Sequence, residues 1–297
     1  MSAVEMRSIE DIEKSGQWWW WAEHKRSQRL DYLRKAIWKK GAKGSGYNPG
    51  VKLDLERALL FTEAFKANEA DSLRMRYAKA LANVFDNITI FIQDNAQIMG
   101  YLGSRPHTII WHPEILFLMN EDLYNDRTVI PDPEDENLAI IRELCDYWNP
   151  IGTGAKVFNL VPPEEIVKLL TGVIGWGLPI ARIGYATKQW DYMFRLGLEG
   201  IMAEIDEKIS EAEEHIYNKV PDPDELPYYE KLDIWKSMKV TLEAVIRWAK
   251  RYSRFARILA ENFESDPKRK QELLRIAEVC AKVPARPPEH LQESLQF

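Results

Sequence analysis

The side chains able to do chemistry are scattered, and their spacing excludes most familiar sites. Of the five histidines (His24, His107, His112, His215, His290), no two stand four apart on a helical pattern. His107 and His112 share a proline-flanked loop with no third ligand nearby, so neither a zinc nor an iron site is expected. Cys145 and Cys280 lie in helix-like patterns and read as buried thiols in a reducing compartment, not as a disulfide. Gly152-Thr153-Gly154 is only the first half of a dinucleotide fingerprint, and no glycine run leads into the Lys-Ser/Thr pair of a P-loop. A Gly-x-Ser-x-Gly nucleophile elbow is also absent. Carboxylates are plentiful, and a solvated face accounts for them. What remains is the Gly-rich, almost uncharged run over residues 171–186. Its glycines permit close backbone approach and Trp176 supplies a wall, although a tight helix–helix crossing explains the same residues.

Composition narrows the field further. In 297 residues, 45% are hydrophobic and 29% charged, the profile of a globular chain with enough material for a large core. A net charge of −6 gives no global basic field, so nucleic acid is not an expected partner. The longest uncharged apolar stretch, Leu169 to Ala181, is interrupted by Gly172, Gly175, Gly177 and Pro179 and falls short of the roughly 20 residues of a membrane span. The N-terminus lacks the basic head, apolar run and cleavage site of a secretory signal. The chain reads as cytoplasmic, with no membrane partner.

The elements that must position any site are mostly helical. Residues 1–50 form a Trp-rich and basic arm: Trp18 to Trp21 in a row, then eight Lys/Arg against Asp31 alone between Lys25 and Lys43. Leu30, Leu33 and Ile37 are spaced as in a helix, which Gly41, Gly44, Gly46, Pro49 and Gly50 end. Such an arm suits either a docking helix with a solvated basic face or an anion- or cofactor-binding arm. Residues 51–297 form the main domain. Asp54 is expected to cap a helix running through Ala58, Phe61 and Phe65 to Leu73, Tyr77, Leu81 and Val84, followed by a β-branched run, Ile88 to Ile92, and a turn at Asp94-Asn95. An acidic loop around Pro131 and Pro133 precedes a helix from about Glu136 to Tyr147, and Pro162-Pro163-Glu164-Glu165 opens another. The pattern is helical again from Trp190 to about Tyr217. Trp235, Met238, Leu242, Val245, Ala249, Tyr252, Ala256, Leu259 and Phe263 alternate by three and four, one apolar stripe along roughly seven turns. Asp266-Pro267 ends that helix and starts the next, and a last helical start covers Glu289–Phe297. The fold class is mainly α.

Several stretches read together resemble the N-terminal part of the glycyl radical enzymes, the pyruvate formate-lyase-like superfamily. Asp54-Leu-Glu-Arg-Ala58 with Phe61-Thr-Glu63 is similar to the family's first conserved helix. Arg76-Tyr-Ala-Lys-Ala80, Asn87-Ile-Thr-Ile90 and Asp94-Asn-Ala-Gln-Ile-Met-Gly100 follow in the family's order. Trp190-Asp-Tyr192 with Arg195-Leu-Gly-Leu-Glu-Gly-Ile201, Lys250-Arg-Tyr-Ser-Arg254, Asp266 to Leu273, Ile276 to Cys280 and Val283-Pro-Ala285 continue it, and Glu289–Phe297 closes it.

The resemblance implies the helical shell of an α/β barrel, truncated where the barrel would begin. Family members use a glycyl radical near the C-terminus and a cysteine on a central loop, whose thiyl radical attacks the substrate in a dry site. Neither Cys145 nor Cys280 matches that cysteine and no radical glycine loop is present, so no catalytic residue carries over. The expectation is an N-terminal fragment, inactive alone and binding no cofactor of its own. In the full-length enzyme, itself expected to be a homodimer, the radical is installed by a separate iron–sulfur S-adenosylmethionine activating enzyme. The Gly-rich stretch lies beside the family's active site. Here it offers Trp176, Leu178, Arg182 and Tyr185 as substrate-binding candidates, which favours an aromatic or hydrocarbon-like acidic substrate clamped by Arg182. The chemistry implied is that of a lyase or decarboxylase (arylacetate decarboxylase or alkyl- and arylsuccinate synthase type), or is formate acetyltransferase-like. The rival expectation is a non-catalytic helical scaffold or binding module derived from the same shell.

Overall fold

The computed structural model describes residues 29, 52–106, 108–115, 135–152, 156, 160–170, 189–218 and 227–297. The chain divides into two compact units, Met1–Pro49 and Gly50–Phe297. Apart from Arg29, the Trp-rich arm lies outside the described residues.

The described part of the second unit is mainly helical. Strand β1 (Lys52–Asp54) pairs in parallel with β2 (Thr108–Ile110), with Leu53 opposite Ile109. Parallel strands need a crossover, and here it contains α1 (Glu56–Ala67) and α2 (Leu73–Asn87). Next come α3 (Asp135–Trp148), α4 (Pro163–Leu170), α5 (Trp190–Asn218) and α6 (Tyr228–Asn262). Helices α7 (Pro267–Lys282) and α8 (Leu291–Gln296) complete the order. Expected and observed helices agree closely from α3 onward. The first expected helix is instead two, because Ser72 caps a new start by accepting from the Met75 N–H. Asp54 sits in β1, and its carboxylate accepts from the Glu56 N–H.

The β-branched run at Ile88–Ile92 is not a strand. Ile88 is fully buried, and Ile90 and Ile92 pack against the α6–α7 core. Side chains hold the carbonyls here: Arg251 donates to Phe85 O in the last turn of α2 (2.7 Å) and to Ile88 O (2.6 Å), and Arg269 to Gln93 O (3.1 Å) and Ala96 O (2.9 Å). Gln296 closes the array. Its Oε1 accepts from the Met99 N–H (2.7 Å) while its Nε2 donates to Met99 O (3.2 Å), reproducing a strand pairing with one amide. Strand β2 had no expectation in the sequence.

Helix α6 is the axis of the unit, packing against α2, α5 and α7. Three neighbours bury more than one stripe, so its deepest residues include Ser237, Ala244, Ile246, Ser253 and Ala260 as well as Tyr252 and Ala256. The expected stripe holds in the middle and fails at its ends, where Met238 is 40% and Phe263 76% exposed. Small side chains let α6 and α7 approach closely: Ala256, Ala260 and Ala277 are fully buried, and Ser253 Oγ donates to Ala277 O at 2.7 Å. An aromatic core of Phe61, Phe65, Tyr77 and Trp148 joins α1, α2 and α3, with Trp148 Nε1 donating to Thr62 Oγ1 at 2.8 Å.

Candidate functional site

The substrate-binding candidates Trp176, Leu178, Arg182 and Tyr185 fall in residues 171–188, outside the described residues. Gln189 is the residue that leads into α5. A cavity of about 600 Å³ opens there, lined by Gln189, Trp190, Asp191, Tyr192 and Arg195. One turn of helix therefore presents an amide, an indole, a carboxylate, a phenol and a guanidinium to one space. Asp191 and Tyr192 stand four and three positions before Arg195, the spacing that puts them on one helical face. Sequence reasoning gave these residues no role, although that spacing was visible.

What aims this turn is a break in α5. Gly197 adopts φ 65°, ψ 173° in the middle of the helix. The helix restarts behind it, and the first N–H groups of the new start, which have no partner within the helix, find carbonyls in the loop after α7. Leu198 N–H donates to Pro284 O and Glu199 N–H to Ala285 O, both at 2.9 Å. A straight helix would separate Tyr192 from Glu204 by roughly 18 Å, beyond the reach of their side chains. Yet the Tyr192 hydroxyl donates to the Glu204 carboxylate, so the head of α5 folds back over its own body. This bond to Glu204, with a smaller contribution from burial, raises the Tyr192 pKa and keeps the phenol protonated. Phe194 meets Phe297 edge to face at 5.3 Å, fixing the other side of the turn.

A second polar group lies where β1 and β2 meet α1. The Asp54 carboxylate, 1% exposed, accepts from the Ser104 N–H, Ser104 Oγ (3.0 Å) and Thr108 Oγ1 (3.4 Å), tying β1 to the segment entering β2. Arg57 makes a two-pronged pair with Glu114 at 3.0 and 2.6 Å, both side chains 3% exposed, and His112 Nδ1 stands 3.6 Å from the same carboxylate. Burial pushes the Glu114 pKa up, but the hydrogen bonds from His112 and Arg57 and the Arg57 charge outweigh it, leaving the carboxyl below its ordinary value. Both oxygens of Glu114 are taken by the Arg57 fork while Arg57 Nε stays unpartnered, and the pair fastens α1 to the residues after β2.

The two thiols are unpaired, as expected. Burial drives the Cys280 pKa up to about 12 and, with Asp146 nearby, also raises that of Cys145, so neither is poised as a thiolate. Among the described residues no cluster of three or more His, Cys, Asp or Glu could hold a metal ion. No helix among them is long and apolar enough to cross a membrane.

Comparison with known proteins places this geometry in a family. The chain is 32% identical over 266 residues to the isethionate sulfite-lyase of Nitratidesulfovibrio vulgaris, covering 84% of this chain and 31% of that protein. It is 32% identical over 284 residues to the indoleacetate decarboxylase of Tractidigestivibacter scatoligenes, again covering 84% of this chain and 31% of that one. A glycyl radical enzyme from Archaeoglobus fulgidus superposes with a TM-score of 0.72 at 32% identity, over 89% of this chain and 32% of that structure. The chain thus spans about a third of the length of the relatives it matches. Residues 20–297 match the family described as pyruvate formate lyase-like, and the chain belongs to that family, the glycyl radical enzymes.

Proposed function

We propose that this chain supplies the helical N-terminal third of a glycyl radical lyase acting on a small organic acid with an aromatic or hydrocarbon-like body. The observation that carries the reading is the polar turn at the head of α5, which directly follows the Gly-rich stretch in a chain of this family. Arg195 lines that cavity, and Arg182 stands thirteen positions earlier in sequence, so two guanidinium groups are available for an anionic substrate. Two relatives are named for small organic anions, indoleacetate and isethionate, and the first joins a carboxylate to an aromatic ring. Trp176, Leu178 and Tyr185 would provide the wall for such a ring, with Arg182 as the clamp. The radical cysteine and glycine belong to residues beyond these 297, and a separate iron–sulfur S-adenosylmethionine enzyme installs the radical. Decarboxylation or another lyase reaction fits this reading better than formate acetyl transfer, since both relatives are named for eliminating part of the substrate.

The test uses the enzyme that carries these residues, activated anaerobically. Arg182→Ala should raise KM for an arylacetate about 30-fold or more, the cost of removing one side of a dry charge-assisted pair (about 2–5 kcal/mol). The glycine-centred electron paramagnetic resonance doublet should keep its wild-type intensity. A wild-type KM with an arylacetate would remove Arg182 from the site.

A further inference from the structure

The irregular segment after α2 lines a cavity of about 460 Å³. Phe91, Gln93, Ala96, Met99 and Tyr101 are among its lining residues, and Tyr252 of α6 supplies its floor. This volume falls within the range of small-molecule sites. The wall is fixed before anything enters, because Arg269 holds the carbonyls of Gln93 and Ala96 and Gln296 holds both polar atoms of Met99. The Phe91 and Tyr101 rings brace each other at 5.8 Å.

The floor carries an unmet need. Tyr252 is 1% exposed, yet its hydroxyl O–H finds no acceptor. Buried hydroxyls are almost always paired, so an orphan beside a cavity points to a group that belongs there. The N–H groups of Gly100 and Tyr101 approach the same oxygen as donors, which leaves the O–H to be donated. Burial raises the Tyr252 pKa, which keeps that proton in place. The missing group is therefore an acceptor. Among the described residues the lining holds no Lys, Arg or His to balance an anion, and burying a carboxylate without a partner is costly.

We propose that this cavity binds a small uncharged molecule, a ring-sized apolar body bearing one carbonyl oxygen that accepts from the Tyr252 hydroxyl. The site is separate from the turn at the head of α5 and does not depend on the lyase reading. Acetophenone is a suitable probe and benzoate, with the same ring and a charge, its control. In the enzyme that carries these residues, labelled with ¹³C-methyl methionine, the Met99 resonance, identified by its loss in Met99→Leu, should shift saturably with acetophenone and not with benzoate. Tyr252→Phe should melt close to the wild type, since its O–H donates to no group, while weakening acetophenone about three- to tenfold, the scale of one neutral hydrogen bond. Ala96→Phe, which fills the cavity, should abolish the shift. An unmoved Met99 signal at millimolar acetophenone, an equal response to benzoate, or unchanged affinity in Tyr252→Phe would each overturn the assignment.

Discussion

Replacing Gly197 by alanine tests the joint on which the head of α5 depends. At φ 65°, ψ 173° the backbone lies in a region open essentially to glycine alone, and holding another residue there costs about 1–3 kcal/mol. Space adds to strain, because a Cβ built on Gly197 would stand 2.6 Å from Ala285 O and 2.7–2.8 Å from backbone atoms of Arg286. Those neighbours are backbone and cannot rotate away, so the loop must retreat from the helix. Its retreat breaks the bonds from Leu198 and Glu199 to the Pro284 and Ala285 carbonyls, at about 0.5–1.5 kcal/mol each. The sum is about 4 kcal/mol. In a unit of this size it corresponds to a fall of about 8–15 °C in melting temperature. Urea unfolding followed by far-ultraviolet circular dichroism measures it directly. Gly200→Ala is the matched control: it lies in ordinary helix and meets only the Leu196 side chain, at 3.0 Å, so it should stay within about 1 kcal/mol of wild type. If Gly197→Ala also stays within 1 kcal/mol, the bend does not depend on glycine and the account of how α5 is aimed fails.

Two further outcomes follow from buried groups. Because the Glu114 pKa is lowered on folding, its pairing stabilises the fold above the unfolded value near 4.5 and is lost as pH falls through the lower folded value. Glu114→Gln should therefore lose about 2–4 kcal/mol at pH 7, with the gap to wild type narrowing at pH 3.5; a gap unchanged between the two pH values would contradict the pairing. The thiols should separate cleanly. With a pKa of about 12, Cys280 holds only about 10⁻⁴ of its thiol as thiolate at pH 8, and it is 2% exposed as well. A disulfide reagent should titrate Cys145 in the native chain and reach Cys280 only after denaturation; two equivalents reacting at similar rates would refute the burial.

What the sequence disclosed was what local chemistry decides. Asp266-Pro267 announces α7 because the capping carboxylate and the proline act within one turn, and the structure shows Asp266 accepting from the Lys268 and Arg269 N–H groups. The Ile88–Ile92 run misleads because its partners, Arg251 and Arg269, lie more than 160 residues ahead and replace the ladder that its composition suggests. Strand β2 hides for the same reason: its pairing partner Lys52 lies 56 positions before Thr108. At the candidate site, Asp191, Tyr192 and Arg195 share a face that spacing alone reveals. That Tyr192 then reaches Glu204 depends on a bend whose cause, the loop at Pro284–Arg286, no local pattern near Gly197 encodes.

The clamps on residues 88–99 have an evolutionary consequence. Arg251, Arg269 and Gln296 grip mainly carbonyl oxygens and one N–H, groups that nearly every amino acid supplies alike. The path of this segment is thus written in three residues outside it. Substitution can alter its exposed side chains while the trace of the chain persists, so the wall of the cavity below can diversify without refolding. Tolerance lies in the segment and constraint in its holders, an arrangement that lets a lineage vary what the pocket touches while inheriting its shape.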